Sequence, residues 1–284
     1  ARDLVTNKVM VYTEALNGAA GLFQAAEYVD QESWGRYVRN LDAARRYPGL
    51  QAISYSDVLS DNDKQAYIDA RRLDTSPDYQ VTPLGQRSYY VPSRYVERVK
   101  DNGKPLIGFD LSSEPIRKKT MEWARDNGQA SITSQLILVP DKDKNVSEPA
   151  FIIFVPIYAR NAPTSTVGER QAAITGFVSA SVRSRELVEQ LFAKMLTKDT
   201  AVQIFDGKNK DKSSLIYQSE SYDQLVKQPD ITQDQITIDF GNNEWTLVGY
   251  VNNNIATKSQ RNQPEMILYT GIAFSFLASG LLLT

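Results

Sequence analysis

A seven-residue repeat of apolar and small side chains at the N-terminus constrains the fold of this chain more than any other feature of its sequence. Alternating steps of four and three residues connect Val5, Val9, Tyr12, Leu16, Ala19, Phe23 and Ala26. This spacing places all seven side chains on one side of an α-helix. The pattern therefore predicts a long N-terminal helix, whose apolar stripe either packs on the domain behind it or forms a dimerisation stem.

The opposite end of the chain is uncharged. The nineteen residues from Met266 to Thr284 include no Asp, Glu, Lys or Arg. As a helix rising about 1.5 Å per residue, they would cover most of the apolar core of a bilayer. We expect the start of a transmembrane helix over 266–284, the alternative being a buried core helix. Because the chain begins with Ala1-Arg-Asp rather than methionine, we also expect an upstream segment in the intact protein.

Composition removes whole classes of chemistry. The sequence contains no cysteine and no histidine, which excludes Cys/His zinc sites, disulfides and triads built on histidine. Its 32 basic and 34 acidic residues nearly balance, so no global charge favours a nucleic-acid partner. We expect no metal and no cofactor. A membrane-tethered hydrolase that uses two carboxylates remains a rival interpretation.

Between the two ends, helical and strand patterns predict an α+β fold of two lobes in series. One predicted helix covers 113–127, with Pro115 in its first turn and Asn127-Gly128 at its end. Alternation of apolar and polar residues, or short apolar runs between turn residues, predict strands at 50–56, 130–133, 136–139, 151–158, 174–182, 200–205, 214–217, 235–240 and 245–251. We expect a stalk helix and connection over 1–46, a first lobe over 47–183 and a second lobe over 184–262.

Two carboxylates in the first lobe attract interest. Glu114 stands at the predicted helix start, where a carboxylate stabilises the free backbone amides. Asp110 lies between Phe109 and Leu111, and a carboxylate in so apolar a setting must be paired, hydrogen-bonded or directed at a cavity. A turn or capping role for Asp110 is the alternative to a ligand-binding role.

Several ordered motifs resemble the CHASE domains, which are extracytoplasmic sensor domains of plant cytokinin receptors, bacterial histidine kinases and cyclic-di-GMP enzymes such as diguanylate cyclases. The resemblance covers nearly the whole chain before the apolar end. It rests on sequence stretches at matching spacing, which are Tyr47-Pro-Gly-Leu-Gln-Ala-Ile-Ser-Tyr, Tyr90-Val-Pro, Gly108-Phe-Asp-Leu-Ser-Ser-Glu-Pro-Ile-Arg, Ala124-Arg-Asp-Asn-Gly-Gln-Ala-Ser-Ile-Thr, Phe154-Val-Pro-Ile-Tyr, Thr166-Val-Gly-Glu-Arg-Gln-Ala-Ala-Ile-Thr-Gly-Phe and Asp239-Phe-Gly.

The resemblance implies two PAS-like lobes with antiparallel sheets behind the stalk helix, ligand bound in the membrane-distal lobe, and a homodimer along the stalk. In the cytokinin-binding members, an aspartate matching Asp110 and a backbone amide in the stretch matching Ser131-Ile132-Thr133 hold the adenine ring. Asp110, Ile132 and Thr133 are accordingly the candidate ligand-binding residues. Ala150 replaces the glycine that is usual before the last strand of the pocket, and its methyl group is expected to narrow or reshape that pocket.

The sequence therefore predicts a periplasmic, non-enzymatic sensor region of an inner-membrane receptor. It is expected to bind a small molecule, adenine-like or of another class, and to signal through 266–284 to an output module outside this chain. The absence of disulfides favours a bacterial periplasm over a plant receptor. The alternative is a periplasmic module that binds a protein partner or dimerises without a small-molecule ligand.

Overall fold

The computed structural model describes residues 1–74, 76–99, 106–142 and 148–253. They form two compact units. The larger unit contains Lys8–Leu187 together with Phe240–Asn243. The smaller unit contains Ala1–Asn7, Val188–Asp239 and the described residues from Glu244 onward.

The predicted N-terminal helix is present as α1, Arg2–Ala25. Five members of the heptad stripe are buried within this single chain, namely Val5, Val9, Tyr12, Leu16 and Ala19, at 0 to 8% exposure. The Tyr12 hydroxyl donates to the Pro48 carbonyl, and burial raises the pKa of this phenol. The stripe therefore packs on the domain behind it, as one of the two interpretations requires.

The larger unit is built on antiparallel strands, which are β1 Leu50–Asp57, β2 Leu59–Ser60, β3 Tyr89–Tyr90, β4 Ser93–Arg98, β5 Ser131–Ile132, β6 Leu136–Ile137, β7 Pro149–Tyr158 and β8 Ile174–Arg183. Its main sheet has the strand order β4-β1-β8-β7-β5, with β6 also paired to β7. A separate two-stranded sheet joins β2 and β3. The predicted strands at 50–56, 151–158 and 174–182 are confirmed, whereas β4 carries no pattern that we recognised.

Helices precede, connect and follow these strands along the chain. They are α2 Gln31–Asn40, α3 Ala43–Arg46, α4 Lys64–Asp74, α5 Pro115–Asn127, α6 Val139–Lys142, α7 Val167–Ala173 and α8 Ser184–Phe192, with a 3₁₀ turn at Leu111–Ser113. Local chemistry sets the ends of α5. The Glu114 carboxylate accepts from the first free amides, and Gly128 ends the helix with φ 65°. The helix predicted over 113–127 is thus confirmed, starting two residues later.

The described strands of the smaller unit and its remaining helix are β9 Thr200–Asp206, β10 Leu215–Gln218, α9 Tyr222–Leu225, β11 Ile231–Asp239 and β12 Glu244–Asn252. The strands form a four-stranded antiparallel sheet in the order β10-β9-β12-β11. Ala201, Phe205, Leu225, Val248 and Tyr250 form its core on one face of this sheet. The four strands predicted for this region are therefore confirmed, and the fold is mixed α and β with antiparallel sheets.

The predicted transmembrane helix at 266–284 lies outside the described residues. Within the part of the chain that the structure describes, no helix combines the length and the apolar character needed to span a membrane.

Candidate ligand-binding site

Four small side chains occupy the centre of the larger sheet. Ser54 on β1 lies opposite Ser179 on β8, and Ala52 lies opposite Ser181. Opposed residues of antiparallel strands project from the same face. The Oγ atoms of Ser54 and Ser179 are 2.8 Å apart and hydrogen-bonded. Together the four residues make a shallow floor in the middle of the sheet.

The neighbouring strands raise walls on both sides of this floor. Val96 of β4 continues the Ser54 row, and Arg98 continues the Ala52 row. On the other side, Phe154 and Ile152 of β7 lie opposite Ser179 and Ser181. Each row therefore has large side chains at its ends and small ones in the middle, which leaves a depression at the centre of the sheet.

A cavity of about 80 Å³ occupies the depression. Ser54 and Ser181 are partly exposed, although both lie on central strands of the sheet. The residues lining the cavity are Gln51, Ala52, Ser54, Ser93, Val96, Arg98, Leu106, Leu111, Arg117, Leu138, Val139, Pro140, Ile152, Ser179 and Ser181. Hydroxyl groups, apolar side chains and guanidinium groups therefore meet around one space, which is the composition of a small-molecule site.

Arg117 is the most deeply buried charge in this lining, with 3% of its surface exposed. Among the described residues, its Nε donates no hydrogen bond, and the nearest carboxylate oxygen, Glu114 Oε2, is 4.0 Å from Nε. The guanidinium lies over the Phe109 ring at 5.3 Å from the ring centre. Burial lowers the pKa of Arg117 and the Glu114 charge raises it, but a guanidinium stays protonated at neutral pH.

Asp110 is fully buried beside the cavity residue Leu111. Its Oδ1 accepts hydrogen bonds from the Val91 amide at 2.8 Å, the Ser112 amide at 3.0 Å and the Ser112 hydroxyl at 2.7 Å. Its Oδ2 lies 3.4 Å from Arg87 Nη1 and accepts no hydrogen bond from the described residues. Asp110 therefore has the turn role considered for it. Only its Oδ2 is left to accept a hydrogen bond from a further donor.

Ile132 and Thr133 lie at the other edge of the sheet. The Ile132 amide donates to Asn242 Oδ1 at 2.9 Å, and its carbonyl accepts from Asn242 Nδ2 at 2.7 Å. The Thr133 amide and Oγ1 bond the backbone of Ile152, each at 2.9 Å. A ligand that used the Ile132 amide would have to replace Asn242 as its partner.

Ala150 is fully buried on β7, opposite Leu136 of β6. It belongs to an apolar cluster that also contains the cavity residues Leu111, Leu138 and Ile152. None of the four sequence-predicted site residues is among the residues that line the cavity. Their role in ligand binding remains a prediction.

Sequence reasoning missed the cavity residues themselves. The signal that could have revealed them is the recurrence of small side chains at every second position, Ser179-Ala-Ser181 on β8 and Ala52-Ile-Ser54 on β1. Two strands that each place small residues on one face leave that face unfilled when they pair. Arg117 is the last residue of the motif that ends Glu-Pro-Ile-Arg, and no sequence pattern indicated that its side chain is buried.

Comparison with solved structures finds several matching chains, and the following three have low identity. An extracellular ligand binding receptor from Desulfohalobium retbaense has 8% identity and a TM-score of 0.47, over 87% of this chain and 39% of that one. The ligand binding domain of the Pseudomonas aeruginosa PAO1 amino acid chemoreceptor PctB, in complex with L-Arg, has 9% identity and a TM-score of 0.49, over 90% and 92%. A methyl-accepting chemotaxis protein X has 10% identity and a TM-score of 0.38, over 87% and 95%.

No curated protein sequence matches the chain significantly. The model of the CHASE domain family matches residues 27–217, which is well over half of the 284 residues. That span includes every residue that lines the cavity. The resemblance drawn from the sequence motifs is thereby confirmed, and the chain belongs to the CHASE domain family.

Proposed function

We propose that this sensor domain binds a small molecule in the cavity above β1 and β8 and signals its occupancy across a membrane. The observation that supports the proposal is the floor of Ala52, Ser54, Ser179 and Ser181, because small residues at the centre of a sheet leave space that larger ones would fill. The space is a depression open to solvent, since Ser54 and Ser181 are partly exposed, and concave sites of this kind bind small molecules. A retained polar cavity in a CHASE domain is best explained by a ligand.

Signalling requires that the ligand binds two arrangements of the domain with different affinities. A ligand shifts an equilibrium between two arrangements only as far as its affinities for them differ. We propose that the larger unit is the ligand-binding lobe and that the domain is extracytoplasmic, with 266–284 connecting it to a kinase or cyclic-di-GMP output module outside this chain. A sensor with this architecture performs no catalysis itself.

The proposal predicts that filling the cavity abolishes binding. Ser181→Ile places a β-branched side chain on the cavity floor, whereas Ser181→Ala removes the hydroxyl and leaves the space open. The full chain is screened by thermal shift against adenine, L-leucine, benzoate and isovalerate. A compound at one hundred times its Kd stabilises the fold by about 2.7 kcal/mol, a shift of several degrees.

We expect a stabilising compound to lose its effect in Ser181→Ile and to keep most of it in Ser181→Ala. Equal shifts in the parent and in Ser181→Ile would place binding elsewhere. A flat screen would favour the alternative function, a module that recruits a protein partner.

An adenine-like ligand at Asp110 is a second candidate, favoured by the buried Oδ2 that accepts no hydrogen bond from the described residues. A donor N–H reaching a buried carboxylate contributes about 1.5–3 kcal/mol. Asp110→Asn keeps an oxygen for Val91 and Ser112 but removes the charge, whereas Asp110→Ala would leave those donors unpaired. Adenine binding should weaken at least about tenfold in Asp110→Asn, measured by calorimetry. Unchanged affinity would remove Asp110 from the site.

A homodimer along the stalk remains part of the proposal. Since the heptad stripe is buried within one chain, a partner would have to pack on the rest of α1, where Leu4 and Met10 are 39% and 50% exposed. Sedimentation of Met10→Lys against the parent chain tests this contact.

A further inference from the structure

The charged side chains among the described residues that line the cavity are both arginines, Arg98 and Arg117. Hydroxyl groups of Ser54, Ser93, Ser179 and Ser181 add hydrogen-bond donors to the same wall. A lining that presents guanidinium groups and hydroxyl donors favours negative charge in its ligand.

Arg117 is the more buried of the two arginines, so water screens its charge less. Burial of an ion costs several kcal/mol unless a partner of opposite charge compensates it. Glu114 compensates only in part. Its carboxylate also accepts from the amides of Ile116 and Arg117 at 3.2 and 3.1 Å, and its Oε2 is 4.0 Å from Nε.

Arg117 is held in the cavity wall with little compensation of its charge. Pro115 and the Glu114 cap fix the first turn of α5, so the side chain starts from a defined backbone. Phe109 packs against the guanidinium group. The Nε atom of Arg117 is sealed from solvent and has no hydrogen-bond acceptor among the described residues. A carboxylate entering the cavity would supply a counter-charge to the guanidinium group, in a charge-assisted hydrogen bond.

The remaining walls and the size limit the rest of the ligand. Val96, Leu111, Leu138 and Ile152 supply apolar surface. A water needs about 10–15 Å³ of cavity volume, so 80 Å³ holds roughly five to eight waters. This volume and the apolar walls fit a short branched acid. The two guanidinium groups of the lining also disfavour a ligand that carries an ammonium group.

We infer that the ligand of this cavity is a short-chain monocarboxylate with a branched apolar tail, and that Arg117 binds its carboxylate. The inference rests on the proposed function, because it requires that the cavity binds a small molecule. Beyond the proposed function, it specifies the charge and size of that molecule.

The test compares isovalerate with isovaleramide, which has nearly the same shape and no charge. Both are titrated into the full chain by calorimetry at neutral pH and constant ionic strength. We expect isovalerate to bind at least tenfold more tightly than the amide. This comparison requires no variant, so it holds even if a substitution at Arg117 impairs folding.

Variants then test whether Arg117 causes the preference for the acid over the amide. Arg117→Gln should reduce the ratio of the two affinities to within about threefold, because the amide side chain has no charge to distinguish acid from amide. Lys119→Gln makes the same charge change at an exposed position of the same helix and should leave the ratio unchanged. A ratio that stays above tenfold in Arg117→Gln would overturn the assignment of Arg117.

Failure of the inference can be told apart from failure of the proposed function. If the amide binds as tightly as the acid, and Ser181→Ile abolishes both, the cavity is the site but its ligand is not an anion. If neither binds while another compound loses its binding in Ser181→Ile, the carboxylate class is wrong and the proposed function stands. If Ser181→Ile alters the binding of no compound, both are wrong.

Discussion

Replacing Leu16 by aspartate is expected to cost at least about 4 kcal/mol of folding free energy. Removing a buried leucine side chain alone costs about 2–5 kcal/mol, and burying a carboxylate without a partner adds to it. Leu16 is 1% exposed in the middle of α1 and belongs to the heptad stripe. Since domains of ordinary stability have about 5–15 kcal/mol in total, this variant should lose between about a quarter and most of its stability.

Urea denaturation of the full chain, followed by circular dichroism, measures the change. Asn17→Asp is the matched control, because it introduces the same charge at the adjacent, exposed position of α1. We expect the control to remain within about 0.5 kcal/mol of the parent chain. Parental stability of Leu16→Asp, combined with loss of a dimer in sedimentation, would instead identify the stripe as a dimer interface.

Replacing Gly108 by alanine is expected to have the second large effect, about 2–5 kcal/mol. Gly108 has φ +78°, a left-handed conformation that costs an L-residue about 1–2 kcal/mol. A Cβ there would clash with the Gln80 carbonyl oxygen. Because that atom belongs to the backbone, the two segments must move apart, with the cost of overpacking, about 1–3 kcal/mol, in addition.

The Gly108→Ala substitution should also affect the candidate site. The Gly108 carbonyl accepts from the Thr82 amide at 2.9 Å, and its amide donates to the Ser93 carbonyl at 2.7 Å. Ser93 lines the cavity, and so does Leu111, three residues after Gly108. We therefore expect Gly108→Ala to weaken the thermal response to a ligand as well as the fold.

Gly207→Ala separates backbone strain from the clash. Gly207 has φ +80°, but a Cβ there would meet no atom within 4 Å. This control should lose only the cost of the left-handed conformation, about 1–2 kcal/mol. Equal losses in the two variants, measured by urea denaturation, would show that the contact with Gln80 contributes nothing.

The secondary structure that could be predicted from the sequence is the part governed by short-range chemistry. The heptad spacing predicted α1, and Pro115 with Asn127-Gly128 predicted α5. Strands with clear alternation, such as β8 and β12, were also recognised. Helix α2 was missed, although Trp34, Tyr37 and Val38 stand at helical spacing and the Asp30 carboxylate caps its start by accepting from the Ser33 amide.

The candidate site, too, could be predicted from the sequence only in part. The motifs identified the family and drew attention to Asp110, whose apolar neighbours already implied burial. The cavity could not be predicted, because Ser54 and Ser179 are 125 positions apart and meet only through the pairing of β1 with β8. Alternation tells which residues of one strand share a face, but it does not tell which strand lies beside it.

The sequence by itself determined the family, the long first helix and the order of the main elements, because motif spacing and periodicity are properties of the chain. Only the tertiary structure decided what the heptad stripe packs against, where small side chains leave a cavity, and that Arg117 is buried in its wall. Those features depend on contacts between distant segments. Burial, cavity volume and the pairing of charges are set by the packing of the whole unit, which no local pattern encodes.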